Sequence, residues 1–259
     1  KPEGEAIRRC LSGINCPAQT VEKLKHFVSK NGFNIDGLGE KLIEMLFKED
    51  IIRDFADIFA IKKHKVKLEE KVGLGKLSVS NLLNSIESKR KITFDKLIYA
   101  LGIRQVGETN SKLLALHYNT FENFRVEMVK AGDKTSNSFQ ELVSIDQIGE
   151  SIAEDLVLYF NTNSNQIVFD KLLNYITIEN IKRNSVVSPY TDKVIVLTGA
   201  LNSMSRDEAK QTLQNLGAKV SSTVSKNTDF LIIGDQPGSK AKKAKELNIP
   251  IVQEEEWVG

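Results

Sequence analysis

A short turn that ends in glycine occurs four times in this chain, each time directly before an amphipathic segment. In these segments apolar residues recur at the i, i+3 and i+4 spacing of one helix face. One such turn is weak evidence, whereas four at similar intervals predict a tandem array of helical hairpins. The final glycines lie 36, 32 and 42 residues apart, at Gly39, Gly75, Gly107 and Gly149.

The turns have a composition that suits anion binding. The residue before each final glycine is apolar and can pack into the hairpin, which fixes the turn. Glycine lets another backbone approach closely. The helix that follows presents unpaired N–H groups and the positive end of its dipole, for which a phosphate is the most natural ligand. The predicted phosphate contacts are Gly37, Leu38, Gly39, Gly73, Leu74, Gly75, Val106, Gly107, Ile148 and Gly149.

The third and fourth turns differ from the first two. They carry Gln105 and Gln147 where the earlier turns have their first glycine. We expect these two turns either to be structural or to hold a phosphate less closely. For all four turns, the alternative is that the glycines only cap helices in an all-α bundle.

Backbone amides that hold phosphates read no bases, so such turns indicate nucleic-acid binding without sequence preference. The 36 Lys and Arg residues are nearly balanced by 34 Asp and Glu residues, which leaves a net charge of +2. A DNA-binding surface must therefore come from the local placement of charge. The basic residues predicted to contact phosphate beside the turns are Lys41, Lys76 and Arg104.

The sequence pattern changes after residues 186–192, which we interpret as a linker. Two β-branched runs, which begin at Val194 and Phe230, each end at a glycine, with helical segments between and after them. Residues 193–259 are therefore predicted to form a small α/β domain with a four-stranded sheet. Its predicted local feature is a capping box at residues 205–208.

Composition excludes several classes of protein. No segment approaches the ~20 consecutive apolar residues of a membrane span, and two cysteines exclude a disulfide scaffold. The 27% of charged residues and only five prolines exclude a mostly disordered chain. The chain begins at Lys1 without a methionine, so we expect a fragment of a longer protein with its last helix incomplete at Gly259.

These motifs together resemble two known families. Residues 24–29, 35–41, 85–89 and 99–108 resemble helix-hairpin-helix DNA-binding domains. Residues 197–199, 204–209, 217–220 and 238–244 resemble a BRCT module. In this order, the pattern is similar to the C-terminal part of bacterial NAD-dependent DNA ligase. The resemblance implies a mainly α domain of tandem hairpins over residues 21–185, followed by a BRCT-like α/β domain over residues 193–259. It also implies that Trp257 packs into the core of that second domain.

The resemblance implies part of an enzyme that seals nicks in duplex DNA during replication and repair. In that family NAD adenylylates the lysine of a Lys-x-Asp-Gly motif in an upstream nucleotidyltransferase domain, and the enzyme also uses Mg²⁺. Here the Asp-Gly pair, Asp36-Gly37, follows Asn34-Ile35 and lacks that lysine. We therefore expect no catalytic residue and no cofactor in this fragment, which should be inactive alone. The expected partners are nicked double-stranded DNA and the upstream domain of the same chain, in a monomer at the bacterial nucleoid in the cytoplasm.

The two cysteines, Cys10 and Cys16, are too few to complete a tetrahedral zinc site. The ligase resemblance implies that residues 1–20 are the remnant of a four-cysteine zinc module whose first two ligands lie upstream. We expect this half-site to be empty in the fragment, with both cysteines as free thiols. The three histidines, His26, His64 and His117, show no metal or nucleophile spacing and are expected to be structural.

The BRCT resemblance also implies a phosphate pocket at Thr198 and Gly199, with Lys240 or Lys243 as its cation. The alternative is that Thr198 and Gly199 form a plain turn and the lysines a solvated helix face. Two rival functions follow: an adaptor that binds phosphopeptides, or the DNA-binding part of another repair enzyme. The second would need a paired-carboxylate metal site, which we do not recognise in the sequence.

Overall fold

The computed structural model describes residues 17–71, 75–180 and 188–258. Four residues of the predicted sites, Cys10, Cys16, Gly73 and Leu74, lie outside these ranges. The helices are α1 Pro17–Val28, α2 Glu40–Lys48, α3 Phe55–Ala60, α4 Lys65–Glu69, α5 Lys76–Ser88, α6 Phe94–Ala100, α7 Glu108–Tyr118, α8 Phe121–Lys130, α9 Asn137–Ser144, α10 Glu150–Asn161, α11 Asn163–Leu173, α12 Arg206–Asn215, α13 Ser239–Glu246 and α14 Glu254–Val258. The strands are β1 Lys91–Thr93, β2 Thr177–Glu179, β3 Val194–Thr198, β4 Lys219–Ser221, β5 Phe230–Ile233 and β6 Ile251–Gln253.

The chain divides into two compact units that do not follow the predicted domains. Unit 1 consists of Lys1–Glu108 and Thr162–Glu179, and unit 2 of Thr109–Asn161 and Asn180–Gly259. The hairpin region predicted at residues 21–185 is thus shared between the two units. The physical reason is that α11 packs on α3 in unit 1, whereas α9 makes hydrogen bonds to β4 in unit 2.

In unit 1, aromatic rings form the centre of the core. Phe27 of α1 stacks on Phe33 and Phe55, with ring centroids 4.3 and 4.4 Å apart, and all three side chains are buried. Helix α11 packs on α3, although the two helices are far apart in the sequence. Its Lys171 binds Asp54 and Asp57 at 2.9 and 2.7 Å. The parallel pairing of β1 with β2 also joins the earlier part of unit 1 to the segment that follows α11.

In unit 2, helices α7 to α10 surround a second aromatic core. Tyr118, Phe121, Phe124 and Phe160 are all buried, and Phe124 meets Phe160 edge to face with centroids 5.1 Å apart. Helix α8 begins after Thr120, whose hydroxyl accepts a hydrogen bond from the Asn123 amide at 3.1 Å. These helices carry the fourth hairpin turn, between α9 and α10.

The terminal domain, which we define as residues 188–258, contains the predicted four-stranded sheet. The strands are all parallel, in the order β4-β3-β5-β6. Helix α12 begins at the predicted capping box, in which Ser205 and Glu208 each accept a hydrogen bond from the other's amide. Trp257 is buried in the core cluster that also contains Ile195 and Leu213, and so occupies its predicted core position. The predicted fold class, helical hairpins followed by a small α/β domain, is confirmed.

Part of the predicted linker belongs to the terminal domain. The Ser188 hydroxyl donates to the Leu216 carbonyl at 2.7 Å, and the Thr191 hydroxyl donates to the same oxygen at 3.3 Å. The Asp192 amide donates to the Gly217 carbonyl at 2.9 Å. The terminal domain therefore starts before residue 193, because these donors satisfy the carbonyl groups at the C-terminal end of α12.

Candidate nucleic-acid interface

The first hairpin turn, between α1 and α2, is held by one long-range contact and one buried side chain. The Asp36 amide donates to the Ser85 hydroxyl of α5 at 2.9 Å. Gly37 has a φ of +84°, in the left-handed region that favours glycine. Leu38 is buried, as its position in the turn predicts, and Gly39 is the extended N-cap of α2. Leu38 thereby anchors the turn directly before α2, whose first amides have no partner within the helix.

The third and fourth turns keep a positive φ angle at the position where their first glycine is replaced. Gln105 and Gln147 have φ values of +62° and +66°, close to the conformation of Gly37. The following residues, Val106 and Ile148, are buried like Leu38. Glutamine at these positions therefore adopts a left-handed conformation that costs more free energy than it does for glycine.

The final glycine of each turn faces open space. A Cβ atom added to Gly39, Gly75, Gly107 or Gly149 would meet no described atom within 4 Å. The backbone does not demand glycine either, since φ is −75° at Gly39 and −70° at Gly75. Because the fold gives no steric reason for glycine, the missing side chain leaves room in front of the helix amides for an external group.

The charge at the four helix starts is not uniform. Helices α2, α7 and α10 begin with Glu40, Glu108 and Glu150, whereas α5 begins with Lys76. Lys76 is exposed, as are Lys41 in the first turn of α2 and Arg104 in the third hairpin turn. A carboxylate at a helix start opposes an incoming anion and a lysine attracts it, so α5 has the most favourable charge for a phosphate.

In the terminal domain the two candidate lysines of the predicted phosphate pocket, Lys240 and Lys243, differ in their exposure. Thr198 is buried, and Gly199 has a φ of +84° where an added Cβ would lie 2.7 Å from the carbonyl oxygens of Gly234 and Asp235. Packing of the strand ends therefore explains this glycine without a ligand. Lys240 is half-buried, and its pKa is lowered by burial and by the neighbouring Arg206, whereas Lys243 is exposed.

Arg206 is a cation that sequence reasoning missed. It is the first residue of α12, and its guanidinium donates to the Leu197 carbonyl at 2.5 Å. The available signal was its place directly after the capping residue, Ser205, at the start of α12. Lys210, one turn further along α12, binds Asp146 of the fourth hairpin turn at 2.8 Å.

Two of the three histidines, His26 and His117, have structural partners. His26 makes a hydrogen bond to the Tyr99 carbonyl at 2.7 Å, and His117 binds Glu141 at 2.8 Å. The contact with His117 lowers the pKa of Glu141. Within residues 17–71, 75–180 and 188–258, no cluster of three or more His, Cys, Asp or Glu side chains could bind a metal ion. In the same ranges, no helix combines the length and apolar character of a membrane span.

Comparison with known proteins agrees with this architecture. Residues 96–168 match the family described as the helix-hairpin-helix motif, and residues 185–259 match the BRCA1 C Terminus (BRCT) domain. The chain is 43% identical to a DNA ligase of Rickettsia conorii over 258 residues and 42% identical to a DNA ligase of Pelobacter propionicus over 267 residues. Both alignments cover 98% of this chain, which spans 37–38% of the length of these curated relatives. The chain is therefore similar over almost its whole length to part of these DNA ligases, and it contains matches to a helix-hairpin-helix motif followed by a BRCT domain.

Proposed function

We propose that this chain binds nicked duplex DNA without sequence preference, as the non-catalytic part of an NAD-dependent DNA ligase that seals nicks in replication and repair. The observation that carries the proposal is the open space in front of the final glycine of each hairpin turn. A phosphate oxygen can reach the amides of a helix start there, and nothing in the fold otherwise requires glycine. Contacts of this kind position a protein on the DNA backbone and read no base.

The individual turns contribute unequally. The turn before α5 combines Gly75 with Lys76 and has no acidic residue in the first turn of its helix. The turn before α2 combines Gly39 and Lys41 with the carboxylate of Glu40. Because that carboxylate repels phosphate, the α5 site should make the larger contribution to DNA affinity.

The parent enzyme's chemistry belongs to other segments. The sequence has no Lys-x-Asp-Gly motif, so an upstream nucleotidyltransferase domain would supply the reactive lysine and bind NAD and Mg²⁺. NAD would provide the adenylyl group that activates the 5′-phosphate of the nick. Zinc would need Cys10 and Cys16, which lie outside the described residues, together with two further ligands. We expect the enzyme to work as a monomer in the bacterial cytoplasm, at the nucleoid.

A phosphopeptide adaptor is the second candidate function. It is favoured by Lys240, a half-buried cation in the terminal domain, but the glycine of the expected pocket, Gly199, is explained by backbone packing. The similarity to DNA ligases at 42–43% identity favours the ligase over other repair enzymes with tandem hairpins.

The test is fluorescence anisotropy of this chain with nicked, intact and single-stranded DNA across a salt series. We expect duplex binding whose logarithmic association constant falls with a slope of about −0.9 per phosphate contacted. Preference for the nick would show that this part of the enzyme senses the break. Absence of duplex binding at low salt by the folded chain would overturn the proposal. A phosphopeptide panel in the same buffer tests the adaptor function, which predicts binding that Lys240→Gln abolishes.

A further inference from the structure

The fourth hairpin, which we define as α9, its turn and α10 (residues 137–161), has no cation of its own. Its sequence contains five acidic residues and no lysine or arginine. By contrast, the other three turns have Lys41, Lys76 or Arg104 in the turn or within two positions of it. Because carboxylates repel phosphate, the fourth hairpin needs a cation from another part of the chain to hold one.

The terminal domain contacts the turn of this hairpin within unit 2. The Ser144 carbonyl, at the end of α9, accepts hydrogen bonds from the Ser222 amide and the Ser221 hydroxyl, both at 2.9 Å. The next residue, Ile145, pairs with Ser221 as an antiparallel β-bridge. These contacts fix the start of the turn at the end of β4, because they satisfy a carbonyl that the helix leaves without a partner.

Lys210 of α12 brings a cation from the terminal domain to the same turn. Its ammonium lies 2.8 Å from the Asp146 carboxylate, and the two side chains are only 22% and 17% exposed. Asp207 is farther from Lys210, at 3.8 Å, and its side chain is largely exposed. Lys210 therefore covers and neutralises Asp146, whereas Asp36, at the same position in the first turn, is exposed.

The start of α10 remains accessible beside this ion pair. Gly149 and Glu150 are exposed, and a Cβ atom on Gly149 would meet no described atom within 4 Å. Three residues of chain span at most about 11 Å. The backbone of Asp146 therefore lies within about one screening length of Gly149 at about 0.1 M salt. A net charge at Asp146 consequently acts on a phosphate bound at the helix start.

We propose that the terminal domain raises the phosphate affinity of the fourth hairpin, because Lys210 neutralises Asp146 and does not itself contact DNA. Its ammonium is held at the carboxylate in a position that is largely shielded from solvent. This inference rests on the proposed DNA binding and gives the contact between the terminal domain and the hairpin a specific role. By linkage, DNA bound at the fourth turn should in return stabilise that contact.

The test measures the affinity of the whole chain for nicked duplex DNA by fluorescence anisotropy at about 0.1 M salt. The variants are Lys210→Gln, Asp146→Asn and the double variant that combines them. Lys193→Gln is the matched control. Lys193 binds Asp229 at 3.0 Å in the same domain, so its variant loses the same charge and an ion pair outside the hairpin turns.

The expected changes follow from the charge left in the turn. Lys210→Gln leaves Asp146 charged, so affinity should fall about 2- to 15-fold, the effect of one unit charge at about 11 Å for effective dielectric constants of about 80 to 20. Asp146→Asn should raise affinity by a similar factor, because it leaves Lys210 positive. The double variant should bind like the unaltered chain. Lys193→Gln should change affinity less than Lys210→Gln does.

Amide hydrogen exchange at Ser222 shows whether each variant keeps the contact between the terminal domain and the hairpin, since this amide donates to the Ser144 carbonyl. If Lys210→Gln loses this protection, the comparison of Asp146→Asn with the unaltered chain decides, because it tests the effect of the Asp146 charge directly. Lys210→Arg keeps the positive charge and should retain the DNA affinity of the unaltered chain.

The inference is overturned if the double variant stays as weak as Lys210→Gln, which would show that Lys210 contacts DNA itself. It is also overturned if Asp146→Asn fails to strengthen binding, or if Lys210→Gln matches the Lys193 control. A Lys76→Gln variant in the same assay separates the two proposals. Weakening by Lys76→Gln without any effect of Lys210→Gln refutes only this inference, whereas a chain that binds no duplex refutes the proposed function.

Discussion

Replacement of Gly39 by alanine separates the function of the hairpin turn from its stability. The added methyl group would meet no described atom of the protein and sits on a backbone with φ of −75°, which alanine adopts without strain. The same methyl group would stand in front of the first amides of α2, where we propose that a phosphate binds. The variant should therefore fold normally and bind DNA poorly.

The two magnitudes follow from this geometry. Alanine is a poorer N-cap than glycine, which costs about 1 kcal/mol, while its smaller backbone entropy in the unfolded chain returns about 0.4–1 kcal/mol. The free energy of unfolding should thus change by less than about 1 kcal/mol. Loss of one hydrogen bond to a charged phosphate costs about 1.5–3 kcal/mol, a decrease in affinity of about 10- to 150-fold.

Thermal melting and fluorescence anisotropy with nicked duplex DNA measure the two quantities on the same sample. Thr120→Ala is the matched control, because Thr120 caps α8, a helix that does not follow a glycine turn, and its hydroxyl accepts a hydrogen bond from the Asn123 amide. That variant should lose about 1 kcal/mol of stability and keep its DNA affinity. The reasoning is refuted if Gly39→Ala binds DNA like the unaltered chain, or if its affinity falls only as far as that of Thr120→Ala.

Three further predictions concern charge and packing. Lys76→Gln should weaken duplex binding more than Lys41→Gln does at the same salt concentration, because α2 has Glu40 in its first turn whereas α5 has no acidic residue there. Equal losses of DNA affinity in the anisotropy assay would contradict this prediction. Glu254 accepts hydrogen bonds from the Asn202 and Ser203 amides, and its pKa is lowered by the Ser203 hydroxyl and these amides. The ionised Glu254 therefore stabilises the fold fully above its ordinary pKa of 4.5, and this stabilisation is lost as the pH falls through the lower pKa of the folded protein. The melting temperature should drop over that pH range. In Glu254→Gln the melting temperature should depend less on pH. Leu213→Ala should destabilise the terminal domain by about 2–5 kcal/mol, since Leu213 is fully buried, and an unchanged denaturant midpoint would contradict that packing.

Much of the hairpin region could be predicted from the sequence because its signals are local. Leu38, Val106 and Ile148 are buried as the turn pattern predicts, and a helix begins directly after each final glycine. The capping box of α12 was equally readable, since Ser205 and Glu208 contact each other within one helical turn. The positive φ angles of Gln105 and Gln147 could not be predicted from the sequence, because glutamine rarely adopts a left-handed conformation.

The sequence by itself determined where helices, strands and tight turns form, because glycine placement, capping residues and apolar periodicity act over a few neighbouring residues. Only the tertiary structure decided which of these elements meet. Lys171 binds Asp54 and Asp57 from more than 100 residues away, and Lys210 binds Asp146 across 64 residues. Nothing in a local pattern specifies such pairs, since they depend on how packed side chains bring distant backbone segments together.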